Sequence, residues 1–420
     1  MKNVSLSFQD LFLLAFERED LPFVSSFYFE TSHPIGFEKY ETYKDTFVKY
    51  ISLEPQLQIT CHSNSGHFTH IKFSNDEIKQ SCYFFNTEEE ESHFLENGFK
   101  SHQLPVRMAC YKNKLIFLFH HPLFDGHAQI NFLKDYFDIY HGKDFKPRGI
   151  NSLVQLRSYF FKASLFWYLK LIFNQIIKKN SQSSRVKISR LADFEPKTRK
   201  MAYELLEFNR KKIDSASRKL KMSSTCFFSM CALKAFHTIQ CKRGETDRAI
   251  VVYIPKSLRS ELKNMRAFQN LIGFIWMKIS RDKITSPQFQ TFFREFYKFR
   301  SSDNELRKVL FWAGLLTKLC SYKKLKKALE HKERKIHDCS LLISSGRTPS
   351  EVLIPEELKE AKFYARGSMH RSPGIALLAT SNYSQDFLTI EYLVDSFNRE
   401  TILEFKNTLA AEINSYISDP

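Results

Sequence analysis

The segment from His120 to Gly126 has the residue types and the spacing that acid–base chemistry requires. It reads His-His-Pro-Leu-Phe-Asp-Gly and follows the apolar run Leu115–Phe119. After it, apolar residues recur at helical spacing, so the segment is predicted to be a strand-to-helix turn. A histidine at a strand end is held by the sheet, and its ordinary pKa lets it accept a proton near neutral pH. Such a histidine suits a general base.

Asp125 and Gly126 complete the pattern. A carboxylate across a tight turn could neutralise an arginine or fix the turn, and a glycine leaves room for substrate or backbone. The alternative interpretation is a turn with two partly buried histidines and a glycine required by its backbone conformation. The chain has only 14 histidines and 12 glycines in 420 residues, so the coincidence of four specified positions favours a functional motif.

The motif at His120, His121, Asp125 and Gly126 resembles the signature of the chloramphenicol-acetyltransferase-like acyltransferases. This superfamily includes peptide-synthetase condensation domains, plant alcohol acyltransferases and bacterial wax ester synthase/diacylglycerol acyltransferases. The resemblance implies that His121 deprotonates an acceptor hydroxyl or amine, which then attacks an acyl thioester, and that Asp125 is mainly structural. It also implies an α/β fold of two domains, each a mixed sheet with helices, with an active-site tunnel at their interface.

Weaker similarities extend along the chain. The segments Leu6–Phe12 and Leu104–Arg107 are similar to stretches of the wax ester synthase branch. Val252–Arg259, followed by Asn270–Phe274, is similar to a family strand that ends in a polar loop and a Gly-Asn pair. The Asp-Phe-Gly-Trp-Gly element of the plant branch is missing at residues 382–386. The resemblance therefore points to the wax ester synthase/diacylglycerol acyltransferase and condensation-domain types.

Further candidate residues follow from the expected chemistry. A tetrahedral oxyanion needs a fixed hydrogen-bond donor, and polar side chains at predicted strand ends in the second half are candidates to bind substrate there. We expect Asp125 to meet an arginine, with Arg107 or Arg259 as its salt-bridge partner. His120 is expected to point to the other side of its strand and to be packed, and His127 to have a surface or capping role. The substrate-binding candidates are Gly126, Ser344, Ser345, Ser381 and Asn382.

Hydrophobic periodicity predicts the elements that position the motif. Val106–Cys110 and Leu115–Phe119 predict a hairpin, and the apolar residues after the motif predict a helix that ends near Gly142. In the second half, strands near 249–254, 271–279, 341, 375 and 388 alternate with long helices, which is typical of α/β layers. The length predicts two domains, 1–180 with the motif and 181–420 completing the tunnel, joined by the polar stretch 180–185.

Composition and charge indicate which binding partners and which cellular compartment to expect. The net charge of +17 fits the phosphates of coenzyme A, a carrier protein or a membrane surface, although a lysine-rich chain kept soluble by its charge explains it equally well. No nucleic-acid module is recognisable, so nucleic acid is not expected as a partner.

The eight cysteines show no Cys-x-x-Cys pair, which favours reduced thiols and no metal. No apolar signal segment follows Met1, so we expect a cytoplasmic protein.

One aromatic and basic segment of the chain could contact a membrane surface. Ser164–Phe173, followed by Ile176–Lys179, is aromatic and basic but too often interrupted by charge to span a bilayer. Such a helix could lie at the inner face of the membrane beside a lipid substrate, or it could pack on its own domain. The basic segment Lys323–Lys327 is predicted to be a solvated helix face.

These observations predict an acyltransferase that moves an acyl group from a thioester to a hydroxyl of a hydrophobic alcohol or lipid. The donor would be acyl-CoA or an acyl carrier thioester, which serves as a co-substrate, with no bound cofactor. One alternative is a condensation-type enzyme that forms an amide. The other alternative is a non-catalytic binding protein of the same fold.

Overall fold

A computed structural model describes most of the chain. The described residues are 2–4, 8–15, 17, 23–62, 65–96, 99, 103–150, 191–192, 200–245, 249–262, 266–335, 340–347, 352–367 and 374–418. The predicted crossover at 180–185 lies outside these ranges. The division into domains 1–180 and 181–420 therefore stays a prediction.

The first half contains seven strands and five α-helices within its described ranges. The strands are β1 (Lys2–Val4), β2 (Val24–Glu30), β3 (Ile59–His62), β4 (His67–His70), β5 (Cys82–Phe85), β6 (Val106–Tyr111) and β7 (Lys114–His120). The helices are α1 (Phe8–Leu14), α2 (Phe37–Leu53), α3 (Asn75–Lys79), α4 (Glu88–Glu96) and α5 (Gly126–Tyr140). Strands β1, β4 and β3 form a small antiparallel sheet of their own.

The second half supplies the other strands and helices. The strands are β8 (Met201–Asn209), β9 (Ile250–Ser257), β10 (Ile272–Ile279), β11 (Leu341–Ser345), β12 (Lys362–Gly367), β13 (Ile375–Ser381) and β14 (Gln385–Leu393). The helices are α6 (Arg210–Lys219), α7 (Ser224–Lys242), α8 (Arg259–Leu262), α9 (Arg281–Ile284), α10 (Phe289–Arg300), α11 (Asp303–Leu319), α12 (Tyr322–Lys335) and α13 (Arg399–Ile417). A six-stranded mixed sheet has the order β10-β9-β11-β13-β14-β8. The predicted α/β class is confirmed, although β8 and β12 were not predicted.

Strand β12 crosses from the second half into the sheet of the first half. The five-stranded sheet has the order β12-β2-β7-β6-β5, and β12 pairs antiparallel with β2 from Lys362↔Glu30 to Gly367↔Ser25. A period-two pattern indicates a strand but not its partner, so the local sequence gives no signal for this pairing. The two halves therefore share backbone hydrogen bonds within one sheet.

The hairpin that precedes the motif is confirmed. Strands β6 and β7 pair antiparallel from Val106↔Phe119 to Tyr111↔Lys114, and Lys112 in the turn has a positive φ of 52°. Strand β7 lies between β2 and β6, and residues 115–120 are all buried. Burial on both faces explains why this strand reads as a continuous apolar run. A central, fully paired strand gives the motif a rigid base.

Helix α5 follows the motif as predicted. The Asp125 side chain caps its N-terminus by accepting a hydrogen bond from the Ala128 amide at 2.7 Å. Its apolar face, which includes Ile130, Leu133 and Phe137, is buried in the core of the first half. The helix ends two residues before Gly142, which has the left-handed φ of +73° that favours glycine.

No helix within the described ranges is long and apolar enough to cross a membrane. The segment Ser164–Phe173, considered for contact with a membrane surface, lies outside these ranges, so that contact stays a prediction. In α12, Leu325 is buried while Lys323, Lys324 and Lys327 are exposed, in agreement with a solvated basic face.

Candidate active site

His121 lies at the end of β7, in a short 3₁₀ turn (His121–Leu123) before Asp125. Its amide donates to the Phe23 carbonyl at 2.9 Å, and its ring stacks on the Phe23 ring with centroids 4.7 Å apart and planes 9° from parallel. The residue is partly exposed, whereas Pro122 and Leu123 after it are buried. The imidazole is therefore held in place by backbone and ring contacts without being fully enclosed.

Asn270, from the second half, holds the turn that carries His121. Its side-chain amide donates to the carbonyls of His121, at 3.0 Å, and Pro122, at 2.6 Å. Its own backbone amide donates to Asp10 Oδ1 of α1 at 3.1 Å. Asn270 is fully buried, so its hydrogen bonds to Pro122 and Asp10 are protected from water.

Asp125 and Arg259 form a fully buried ion pair between the halves. Arg259 Nη2 donates to Asp125 Oδ1 at 2.7 Å, and both side chains are 0% exposed. The Leu271 amide donates to Asp125 Oδ2 at 2.8 Å, while Arg259 also donates to the carbonyls of Ala267 and Gln269 at 2.7 and 2.8 Å. Dense hydrogen bonding offsets the desolvation of both charges. Asp125 thus joins the start of α5 to Arg259 and Leu271 of the second half.

Arg107, the other candidate partner, lies elsewhere. It pairs in register with Leu118, whose side chain belongs to the apolar cluster on the other side of the sheet from Phe117 and Phe119. Its guanidinium lies over the Phe99 ring, 4.6 Å from the centroid, and donates to Gln103. The alternation of side chains along β6 thus turns Arg107 away from Asp125, and the candidate pairing is corrected to Arg259 alone.

A small apolar cluster lies beside the His121 ring. It joins Phe23 to Leu13 of α1 and to Ile272 of β10, with Phe274 packed against them. These residues come from both halves of the chain, and Phe23 is the one that stacks on His121. Through Phe23, the imidazole therefore contacts a buried apolar cluster that both halves build.

Gly126 is the first residue of α5. Its φ is not in the left-handed region, and a Cβ placed there would meet no atom of the described residues within 4 Å. Neither backbone strain nor crowding by these residues accounts for the glycine. The expectation that it keeps space free for substrate therefore stays a prediction.

The two neighbouring histidines have different surroundings. His120 is buried at 3% exposure between Cys61 and Glu17, and although burial opposes its charged form, these two groups raise its pKa to about 10. His127 lies on α5, where burial and the charge of Arg259 lower its pKa. The cap of α5 is Asp125, so His127 does not have the capping role that the sequence allowed.

The serine and asparagine candidates lie at strand ends, as predicted, but their contacts are those of the second sheet. Ser344 and Ser345 end β11 and pair in register with β13, which is typical of sheet residues. Asn382 accepts from the amides of Ser384 and Gln385, at 3.0 and 2.8 Å, and donates to the Ala361 carbonyl at 3.0 Å. The bonds from Ser384 and Gln385 close the β13–β14 hairpin, and the bond to Ala361 reaches the residue before β12. A role for Ser344, Ser345, Ser381 or Asn382 at an oxyanion stays a prediction.

Several residues of the site were missed by sequence reasoning. Phe23, Asn270 and Asp10 contact the motif turn or its supports from positions more than 90 residues away in the chain. Asp10 and Asn270 both fall in segments that resemble the family, which was the available signal. No sequence signal pointed to Phe23, because one phenylalanine among 41 is not distinctive.

Asn270→Ala is expected to lower the kcat of a reaction that depends on His121 by about 10- to 100-fold. Little change in KM is expected, because the variant only removes the two side-chain hydrogen bonds that hold the turn beneath His121. The free energy of unfolding is expected to fall by about 1–3 kcal/mol, since buried carbonyls lose their donor. Steady-state kinetics and urea unfolding measure both effects. Asn75→Ala, at an exposed position on α3, is the matched control. Wild-type kcat in Asn270→Ala would contradict the positioning role.

No protein-family model matches this chain, and a search of curated proteins found no match. Solved structures do match over nearly the whole length. The condensation domain of the Monacolin K polyketide synthase MokA has a TM-score of 0.68 at 9% identity, with 100% of this chain and 99% of that chain covered. The epimerization domain of tyrocidine synthetase B module 3 has a TM-score of 0.66 at 11% identity, with 99% and 97% covered.

An O-acetyltransferase has the same architecture. TRI3 trichothecene 15-O-acetyltransferase from Fusarium sporotrichioides has a TM-score of 0.64 at 11% identity, with 98% of this chain and 94% of that chain covered. Identities this low establish the fold and not the activity. The chain therefore has the two-lobed chloramphenicol-acetyltransferase-like fold shared by condensation domains and this acetyltransferase.

Proposed function

We propose that this chain is an acyltransferase in which His121 is the general base. The observation that carries the proposal is the way His121 is held. Its ring stacks on Phe23, its carbonyl accepts from Asn270, and the buried Asp125–Arg259 pair fixes the turn behind it. Both halves of the chain converge on one partly exposed imidazole, which is the arrangement that general-base catalysis needs.

The proposed reaction is acyl transfer from a thioester. His121 accepts the proton of the acceptor hydroxyl while the acceptor oxygen forms a bond to the thioester carbonyl carbon. The C–S bond of the tetrahedral intermediate then breaks, and the leaving thiolate takes the proton back from His121. The protein ends the cycle unchanged, so no oxidant, reductant or bound cofactor is required.

A hydrophobic acceptor is the substrate class that we propose. The cluster of Leu13, Phe23, Ile272 and Phe274 supports it, because an apolar surface beside the base would bind an apolar alcohol or lipid and exclude competing water. The O-acetyltransferase of the same fold transfers to oxygen, which favours a hydroxyl. We propose that the substrates meet at His121 in a tunnel between the halves.

The donor is proposed to be acyl-CoA or an acyl carrier thioester. The net charge of +17 would favour the phosphates of either. Neighbours of the same fold come from nonribosomal peptide synthetases and a polyketide synthase, which supports a carrier protein as an alternative to free coenzyme A.

The alternative function is amide formation with an amine acceptor, and it is favoured by the likeness to condensation domains. One experiment separates the two. The purified chain is incubated with a panel of acyl-coenzyme A donors and either long-chain alcohols or matched long-chain amines, and products are identified by mass spectrometry. Esters that require His121 support the proposal, and amides alone support the alternative. Absence of product with every donor, including acyl carrier thioesters, would favour a binding protein.

A further inference from the structure

The segment 266–270, between α8 and β10, carries several of the contacts that the second half makes with the motif. Two of its carbonyls accept hydrogen bonds from Arg259, and its last side chain, Asn270, donates to the His121 carbonyl at 3.0 Å. The position of the His121 turn therefore depends on the position of this segment. The residue in the middle of the segment, Phe268, lies in the core of the first half.

Phe268 fixes the segment on the first half of the chain. It is only 3% exposed, and its ring centroid lies 5.8 Å from that of Phe124, which is part of the motif between His121 and Asp125. Its backbone amide donates to Gln56 Oε1 at 3.0 Å. Phe268 therefore contacts the motif directly and also sets where the rest of its segment lies.

Arg148 lies over the Phe268 ring, with the guanidinium carbon 4.2 Å from the ring centroid. Two carboxylates hold the guanidinium there, because Nη1 donates to Glu54 Oε2 at 3.0 Å and Nη2 donates to Asp135 of α5. Arg148, Glu54 and Asp135 are 7%, 0% and 6% exposed, so these charge-assisted bonds are shielded from water. A desolvated guanidinium over an aromatic face attracts the ring and restrains it. The proposed chemistry does not use this buried cation.

We propose that Arg148 and Phe268 are positioning residues for His121, an inference that rests on the proposed function. The two carboxylates orient Arg148, and Arg148 restrains Phe268. Phe268 in turn sets the place of Phe124 and of Asn270, two residues later in the chain. A shift of the Phe268 ring would move the Asn270 amide away from the carbonyl that it binds. Because a small displacement of a catalytic group lowers the rate of the chemical step, the effect is expected on kcat.

Phe268→Leu tests this role, because leucine keeps most of the apolar volume but offers no aromatic face to the guanidinium. We expect kcat to fall by about 10-fold with KM unchanged, as measured by steady-state kinetics. Phe289→Leu is the matched control, since Phe289 is 2% exposed in the core of the second half, at the start of α10. It should lower the urea midpoint to a similar extent and leave kcat at the wild-type value. A loss of stability alone would affect the two variants alike.

Two further variants test the order of the contacts. In the double variant Phe268→Leu with Asn270→Ala, kcat should be close to that of Asn270→Ala alone, because both changes act through the same hydrogen bonds. Arg148→Lys keeps a cation beside the ring and should retain more kcat than Arg148→Met. If neither Arg148 variant folds, the two leucine variants and the double variant still decide.

Hydrogen exchange followed by mass spectrometry measures the same contacts without turnover. In Phe268→Leu, peptides that cover residues 121–125 and 266–271 should exchange faster than in the wild-type chain, whereas Phe289→Leu should leave them unchanged. A wild-type chain without transferase activity would reject the proposed function, and the exchange rates would still decide whether Phe268 fixes the turn. Unchanged exchange at 121–125 in Phe268→Leu, equal kcat in the two leucine variants, or additive losses in the double variant would overturn the inference.

Discussion

His121→Ala is expected to lower acyl transfer by about 10²- to 10⁴-fold, the range that a positioned general base contributes. His121 is partly exposed and its ring stacks on Phe23, so its loss should leave the fold intact. Product formation from acyl-coenzyme A and an alcohol measures the loss of activity, and circular dichroism with thermal unfolding measures the fold. The loss should fall mainly on kcat, because the base acts in the transition state.

His141→Ala is the control for this experiment. His141 is exposed at the end of α5, where its Nε2 lies 3.1 Å from the Leu353 carbonyl, far along the helix from the motif. Its removal should leave turnover unchanged. If folded His121→Ala turns over at the wild-type rate, His121 is not the base and the proposed reaction is wrong.

Breaking the Asp125–Arg259 pair is expected to have the largest effect on stability. Asp125→Asn or Arg259→Met should each lower the free energy of unfolding by about 3–5 kcal/mol, because each leaves one buried group without its charged partner. Activity should fall as well, since the turn that carries His121 ends at Asp125. Urea unfolding and a transfer assay measure the two effects.

A double variant separates the pair from the rest of the site. Asp125→Asn with Arg259→Met should cost less than the sum of the single changes, because the second change removes the group that the first left unpaired. Lys79→Ala is the surface control. Its pair with Asp76, at 3.4 Å, is well exposed and should contribute no more than about 1 kcal/mol. Additive losses in the double variant would mean that Asp125 and Arg259 act independently.

The sequence predicted those strands, turns and helices whose signals lie close together along the chain. The β6–β7 hairpin, the 3₁₀ turn region and α5 follow from apolar runs, a polar turn and helical periodicity within 40 residues. Arg259 was one of two candidate partners for Asp125, and only the register of β6, which sends Arg107 to the other face, decides between them. A register is a property of the sheet and cannot be read from one strand alone.

The residues that contact the motif from distant parts of the chain could not be predicted in the same way. Asn270 binds the His121 turn across 149 residues of sequence, and Glu17 reaches His120 across 103. No periodicity or spacing rule connects such positions, because the fold alone brings them together. The burial of His120 was foreseen from the alternation along β7, but its contacts with Cys61 and Glu17 were not.

Strand β12 comes from the second half of the chain but forms the edge of the sheet in the first half, so a cut between the halves would expose that edge. A fragment that ended before Lys362 would leave β2 as an open sheet edge, with its amides and carbonyls unpaired on the side that β12 now occupies. Residues 24–29 of β2 are buried and largely apolar, so such an edge would recruit other chains and aggregate. The first half is therefore not a self-sufficient folding unit, and separating it from the second half would first require breaking the pairing of β12 with β2.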